Sequence, residues 1–245
     1  MTEIQMLVIA GAFLVAGVAK GAIGIGLPPI AVGLMTLALP LEDALAIMTI
    51  PTLTTNVWQA IYGTGLRRLI RRFWSLAATA MVTLVIVAAT LGQLGSPKAT
   101  SILGLLLVAY SLLALVAWRP HVPRHAERWA NPLAGVATGF MTGITGIAAI
   151  PFLPYMQSLE IQKDDLVQAL GLLFIVITAA LTLALFRQGA FDTANFIGGC
   201  AAVVPTSIGV WIGQKSRNAM SPEMFRRIFL VGLLCIGLHM ARGLL

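Results

Sequence analysis

Long runs of apolar residues alternate with short polar stretches along most of this 245-residue chain. A run of about 20 apolar residues is enough for one helical crossing of a bilayer, and most of the runs have that length. The first and the fifth are longer and are interrupted by glycine and proline, so each is a kinked helix, a re-entrant hairpin or two short helices. The pattern predicts an all-α polytopic membrane protein with spans at approximately 4–39, 43–63, 73–93, 99–118, 131–158, 165–186, 193–214 and 224–242.

The two interrupted runs resemble each other at matching positions. A spacing of 143 − 21 = 122 residues relates four pairs, which are Gly21 and Gly143, Gly24 and Gly146, Pro29 and Pro151, and Asp43 and Asp165. We therefore expect two homologous halves, with a first membrane repeat at 1–118, a polar linker at 119–130 and a second membrane repeat at 131–245. Each half is expected to contain one Gly/Pro-broken helix or re-entrant hairpin plus three transmembrane helices.

Composition and charge agree with this class. Hydrophobic residues make up 58% of the chain and charged residues only 10%, whereas soluble domains average about 25% charged residues. The net charge of +7 could suggest a nucleic-acid partner, but the basic residues cluster in short loops, where they orient a membrane protein. We expect no nucleic-acid partner, no cofactor and no metal, and an integral protein of the bacterial cytoplasmic (inner) membrane.

The loop charges also address how the two halves are oriented. Arg67, Arg68, Arg71 and Arg72 follow the second span and predict that this loop is cytoplasmic. In the second half, the basic residues follow the next span along, at Lys215, Arg217, Arg226 and Arg227. This displacement favours inverted repeats, and parallel repeats are the alternative.

The paired interruptions are the first candidate for a binding site. Gly/Pro-broken apolar segments at matching positions of two halves point to the substrate site of a transporter. In the first half the candidates are Lys20, Gly21, Gly24 and Gly26, where a cation and exposed backbone N–H groups could meet an anion. Two alternatives stay open: Lys20 snorkels to a membrane surface, and the glycines serve close helix packing.

A polar stripe on the second span is the other candidate. Thr52, Thr55, Asn56 and Gln59 follow i, i+3, i+4, i+7 spacing, so they share one helical face. Matching candidates in the second half are Thr142, Gly143, Thr145, Gly146 and Thr178. Hydroxyl and amide groups can solvate a polar substrate, or they can form hydrogen bonds between helices.

No acidic residue lies near the middle of a predicted span, which argues for an anionic substrate. A membrane enzyme would need a metal-binding or nucleophilic cluster, and the sequence offers none. A non-transporting membrane scaffold remains the alternative, although it would not need paired helix breaks. A coupling ion, H⁺ or Na⁺, and a homodimer partner are further possibilities that the sequence leaves open.

The chain resembles the TauE/SafE family of sulfite and organosulfonate exporters. The resemblance rests on the glycine-rich breaks that end in proline, at Gly21 to Pro29 and Gly143 to Pro151, and on Asn56 in the second span. The Arg67 to Trp74 stretch, Gly189-Ala190-Phe191-Asp192 and Ser221-Pro222-Glu223 follow in the family's order. The resemblance implies a secondary transporter that exports small sulfur-containing anions such as sulfite or organosulfonates.

Overall fold

A computed structural model describes residues 2–91, 94, 96–115, 121–148, 151–216 and 222–242. These residues form ten α-helices, in agreement with the predicted all-α class. The helices are α1 (Glu3–Ile23), α2 (Leu27–Met35), α3 (Leu41–Ile61), α4 (Leu66–Thr90), α5 (Pro97–Leu115), α6 (Glu127–Thr145), α7 (Phe152–Gln157), α8 (Lys163–Arg187), α9 (Thr193–Ser216) and α10 (Pro222–Ala241). Arg119 and Pro120 of the predicted linker lie outside the described residues.

Five of these helices are long and apolar enough to cross a membrane, namely those at 3–22, 66–90, 98–115, 163–187 and 193–216. Helix α4 has apolar side chains on both its exposed and its buried face. One apolar stripe is buried, and the exposed face carries Ile70, Trp74, Val82 and Ile86. The 21-residue α3 is long enough to cross but is not among the five, since it carries threonine, asparagine and glutamine along its length. The chain is therefore an integral membrane protein.

The helices group into two units, and each unit contains parts of both sequence halves. Unit 1 is Met1–Pro51, Gly95–Val116 and Leu185–Leu245, and unit 2 is Thr52–Leu94 and Ala117–Ala184. Unit 1 thus contains α1, α2, α5, α9, α10 and the first half of α3. Unit 2 contains α4, α6, α7, most of α8 and the second half of α3.

In unit 1, α1 and α9 pack side by side with almost no space between their backbones. A Cβ atom built on Gly17 would lie 2.5 Å from the Thr206 carbonyl oxygen and 3.1 Å from Gly209 Cα. One turn further along both helices, Gly21 lies against Val210. Because the residue numbers of the contacting positions increase together along α1 and α9, the two helices run parallel. Backbone approach of this kind requires small residues at the interface.

In unit 2, α6 packs against α4 in the same way. A Cβ atom built on Gly139 would meet the carbonyl oxygen of Ala80 and would lie 2.9 Å from the Leu84 nitrogen. Gly143, one turn later, lies against Val87 and Leu84, so these two helices are also parallel. Gly17 and Gly139 are 139 − 17 = 122 residues apart, and each meets a carbonyl oxygen at the corresponding place on its partner helix.

Unit 2 also joins the second half of α3 to α8, which is its counterpart at 122-residue spacing. Gln59 Nε2 donates to the Val167 carbonyl at 2.7 Å, and Gly171 lies against the Asn56 carbonyl and the Ala60 nitrogen. Because the residue numbers of the contacting positions decrease along α3 as they increase along α8, the two helices run antiparallel here.

Candidate functional site

The first break separates α1 from α2 at Gly24 to Gly26, as the sequence predicted. Gly24 has φ +83° and Gly26 has φ +101°, conformations that a residue with a Cβ atom adopts only at a cost. The Gly24 N–H donates to the Lys20 carbonyl at 2.7 Å and ends α1. Helix α2 then begins at Leu27 and packs against α1 and α10.

This break contains several backbone N–H groups that are not used in hydrogen bonds among the described residues. The N–H groups of Ile25, Gly26 and Leu27 make no hydrogen bond with another described residue. Pro28 and Pro29 occupy the next two positions of α2 and have no N–H to offer. The donors of this helix end are therefore concentrated in the three residues of the break rather than spread over the first turn of α2.

The second break repeats the first in its local geometry. Gly146 has φ +76°, and its N–H donates to the Thr142 carbonyl at 2.7 Å, which ends α6. The Thr145 hydroxyl donates back to the Met141 carbonyl and accepts from the Ile147 N–H at 3.4 Å. Thr142 bonds the Thr138 carbonyl in turn. Residues 149 and 150 of this break lie outside the described part of the chain.

Lys20 and Thr142 occupy equivalent positions, each four residues before the glycine that ends its helix. Lys20 is only 9% exposed although it stands in the last turn of an apolar helix. A positive charge at a helix C-terminus is favoured by the helix dipole, but burial of an ammonium group in a membrane helix carries a cost. Lys20 is buried inside the chain rather than exposed at its surface.

Gly21 and Gly143 take part in the tight α1–α9 and α4–α6 contacts described above. These contacts account for both glycines through packing, the alternative that the sequence left open. Gly24, Gly26 and Gly146 differ from them, since their positive φ angles form the breaks themselves.

The α3 stripe faces the interior of the protein. Thr52 is fully buried and Asn56 is 1% exposed, and both form interactions within the chain. The Thr55 hydroxyl donates to the Thr52 carbonyl at 3.2 Å. Gln59 uses its amide to hold α8 at Val167, so it has a structural bond of its own. Thr178, on α8, is buried as well.

Unit 2 contains a buried ion pair that the sequence pattern did not predict. Arg72 donates from Nε to Glu127 Oε2 at 2.7 Å and from Nη2 to Oε1 at 2.5 Å, with both side chains largely buried. Asn131, one turn along α6, donates to the Arg72 carbonyl and accepts from the Tyr155 hydroxyl at 2.6 Å. The network ties α4, α6 and α7 together. Glu127 stands within the polar stretch assigned as linker, so nothing in the sequence pattern marked it as buried.

The matched aspartates, Asp43 and Asp165, have corresponding partners. In unit 1, Asn195 Nδ2 at the start of α9 donates to Asp43 at 2.8 Å. In unit 2, Arg68 Nη2 at the start of α4 donates to both oxygens of Asp165, at 2.7 and 2.6 Å. Each aspartate lies in the first turn of its helix, where a negative charge is favourable. Each therefore fixes one helix start against another.

The functional groups at these places are hydrogen-bonding groups and one buried amine. Among the described residues, no group of three or more His, Cys, Asp or Glu side chains could hold a metal ion. The breaks offer backbone N–H groups and a buried lysine in unit 1, and hydroxyl groups in unit 2. The backbone N–H groups and the lysine suit an anionic or strongly polar ligand. The hydroxyl groups of Thr142 and Thr145 already donate to backbone carbonyls, so they offer a ligand their oxygen lone pairs.

Comparison with known proteins identifies the family. No curated protein and no solved structure matches the chain. A family model described as sulfite exporter TauE/SafE matches residues 9–240, which is nearly the whole chain. The members of that family are transporters rather than enzymes. This chain belongs to the TauE/SafE sulfite exporter family.

Proposed function

We propose that this protein is a secondary transporter that exports small sulfur-containing anions such as sulfite or organosulfonates. Family membership supports transport of a sulfur compound. The observation that carries the site is the pair of glycine breaks, Gly24 to Gly26 and the one that begins at Gly146. At each break the helix ends at a glycine with a positive φ angle, and the N–H of that glycine donates to the carbonyl four residues earlier. In membrane transporters, matched interruptions of this kind mark the substrate site.

Electrostatics favour an anion at the break in unit 1. Three consecutive N–H groups, from Ile25 to Leu27, lie at the N-terminal end of α2, which carries a partial positive charge. Lys20, one turn before the break, adds a buried primary amine that can donate hydrogen bonds and can carry a positive charge. Sulfite and sulfonates present several acceptor oxygens and suit such donors. A cation would meet like charge there.

The second break adds neutral hydroxyl groups. Thr142 occupies the place that Lys20 has in the first break, and Thr145 already contacts the backbone that follows it. Thr52, Asn56 and Thr178 are buried polar side chains in the same unit. We propose that these residues form a neutral polar binding place within unit 2 and that Gln59 supports it by fixing α3 against α8.

Inverted repeats fit this proposal. Two halves related by an axis in the membrane plane reverse the direction of equivalent helices, whereas an axis along the membrane normal preserves it. The antiparallel packing of the second half of α3 on α8 in unit 2 supports the inverted arrangement. Such repeats allow one fixed site to face each side of the membrane in turn.

Flux measurements test the proposal. Liposomes that contain the purified protein and are preloaded with sulfite should release the sulfite faster than liposomes that contain an unrelated membrane protein. An excess of an organosulfonate should compete with sulfite, and choline should not. Separate pH and Na⁺ gradients identify the coupling ion, because only the coupled gradient drives uphill movement. Release of sulfite at the control rate, with no competition by any sulfonate, would contradict the proposed substrate class.

A further inference from the structure

Unit 2 contains a second place suited to an anion, away from the glycine breaks. A recess of about 300 Å³ opens between the starts of α4 and α8 and the polar segment before α6. Three arginines, Arg68, Arg72 and Arg124, line it together with the acidic residues Glu160 and Asp165. The volume is sufficient for a small anion or a lipid headgroup.

Two of the arginines are already committed to structural bonds. Arg72 directs Nε and Nη2 at Glu127, and the same Nη2 also donates to the Glu160 carbonyl at 3.2 Å. Arg68 grips Asp165 with Nη2 alone. A guanidinium group has five N–H donors, so the Nε and Nη1 donors of Arg68 remain available, and its side chain is 64% exposed.

Arg124 differs from both because it makes no ion pair with any described residue. It is exposed, and it lines the recess beside two carboxylates that have partners of their own. Asp165 is paired with Arg68, and Glu160 Oε1 lies 3.0 Å from His121 Nε2. The starts of α4 and α8 add partial positive charge at this end of the unit.

We propose that this recess binds an oxyanion group, held by Arg124 and the free donors of Arg68. Guanidinium groups recognise tetrahedral and planar oxyanions through paired N–H···O contacts. The positive-inside rule predicts that this arginine-rich end faces the cytoplasm, where both free oxyanions and the phosphate groups of anionic lipids are available. The site is separate from the glycine breaks and does not depend on the transported substrate.

The experiment uses the whole protein and two single-charge variants. Arg124→Gln removes the uncommitted guanidinium from the recess. Arg128→Gln is the matched control, since Arg128 is an exposed arginine one turn along the chain, stacks on Trp129 and does not line the recess. Both variants lose one positive charge near the start of α6, so a general electrostatic effect changes them equally.

The first arm titrates sulfate against each protein in an uncharged detergent, at constant ionic strength, and follows the melting temperature. We expect saturable stabilisation of the wild type and of Arg128→Gln. In Arg124→Gln the apparent dissociation constant should rise about tenfold or more, the loss expected for one charge-assisted contact.

The second arm reconstitutes each protein in nanodiscs of phosphatidylcholine alone or of an equimolar mixture with phosphatidylglycerol, and counts retained lipids by native mass spectrometry. Retention of phosphatidylglycerol that depends on Arg124 identifies a lipid headgroup as the ligand, whereas a response to sulfate alone identifies a free oxyanion. Either result supports the recess. Equal behaviour of Arg124→Gln and Arg128→Gln in both arms would overturn it, whether or not the protein exports sulfite.

Discussion

The contact between α1 and α9 makes a sharp prediction about Gly17. Replacing this glycine by alanine adds a single methyl group at a place where the backbones of the two helices touch. The new Cβ atom would lie 2.5 Å from the Thr206 carbonyl oxygen and 3.1 Å from Gly209 Cα, and both neighbours are backbone atoms that cannot rotate away. The helices must therefore separate or shift along each other.

The expected cost follows from two opposing effects. Alanine is favoured over glycine in a helix by roughly 1 kcal/mol, which would stabilise the variant if space were available. Overpacking a close interface costs about 1–3 kcal/mol, and a rigid backbone neighbour places Gly17→Ala near the upper end. We expect a net loss of about 1–2 kcal/mol of unfolding free energy, the difference between those two effects.

Gly11 supplies the matched control on the same helix. A Cβ atom there meets nothing within 4 Å, so Gly11→Ala has the same gain in helix propensity with no steric cost. Denaturant or SDS unfolding of both variants in detergent, followed by circular dichroism, measures the difference. Gly17→Ala should unfold earlier than the wild type, and Gly11→Ala should not. Equal stability of the two variants would refute the close α1–α9 contact.

Three further substitutions test the site and its support. Lys20→Met should weaken anion binding by about tenfold or more, as loss of a charged contact does, while Lys98→Met at an exposed lysine should leave it unchanged; titration calorimetry decides, and equal affinities would remove Lys20 from the site. Asn56→Leu should slow sulfite flux without reducing the yield of folded protein, whereas Thr54→Leu, on the exposed face of the same helix, should leave the flux unchanged. Normal flux in Asn56→Leu would count against a role for Asn56. Glu127→Leu should lower stability by about 3–5 kcal/mol because it strands a buried guanidinium, and an unchanged melting temperature would contradict that role.

Much of the architecture follows from hydrophobic pattern and glycine placement. The first break was expected between Gly21 and Pro29 and occurs at Gly24 to Gly26, where two glycines adopt the positive φ angles that separate α1 from α2. The aspartates at 43 and 165 match at the same 122-residue spacing as the glycines, and both lie in the first turn of a helix, α3 and α8. Signals of this kind are local, so the sequence displays them directly.

Partners that lie far apart in the sequence were beyond prediction. A glycine that lines a ligand and a glycine that touches another helix leave the same pattern, and only the neighbouring backbone of Val210 identifies Gly21 as a packing residue. Gln59 shared the polar face of Asn56, yet its amide bonds Val167, which is 108 residues away. Glu127 lies in the polar stretch assigned as the linker, and only its ion pair with Arg72, 55 residues away, accounts for its burial.

We propose that this chain moves small sulfur-containing anions across a membrane. The most direct measurement is efflux of radiolabelled sulfite from liposomes that contain the purified wild-type protein, with Asn56→Leu as the transport-impaired comparison at equal protein density. We expect efflux that saturates with sulfite concentration, is inhibited by an organosulfonate and is slower from liposomes that contain Asn56→Leu. The protein preparation must first be shown to be folded. If its liposomes then release sulfite only at the rate of protein-free liposomes, with either a pH gradient or a Na⁺ gradient imposed, the proposed transport is contradicted.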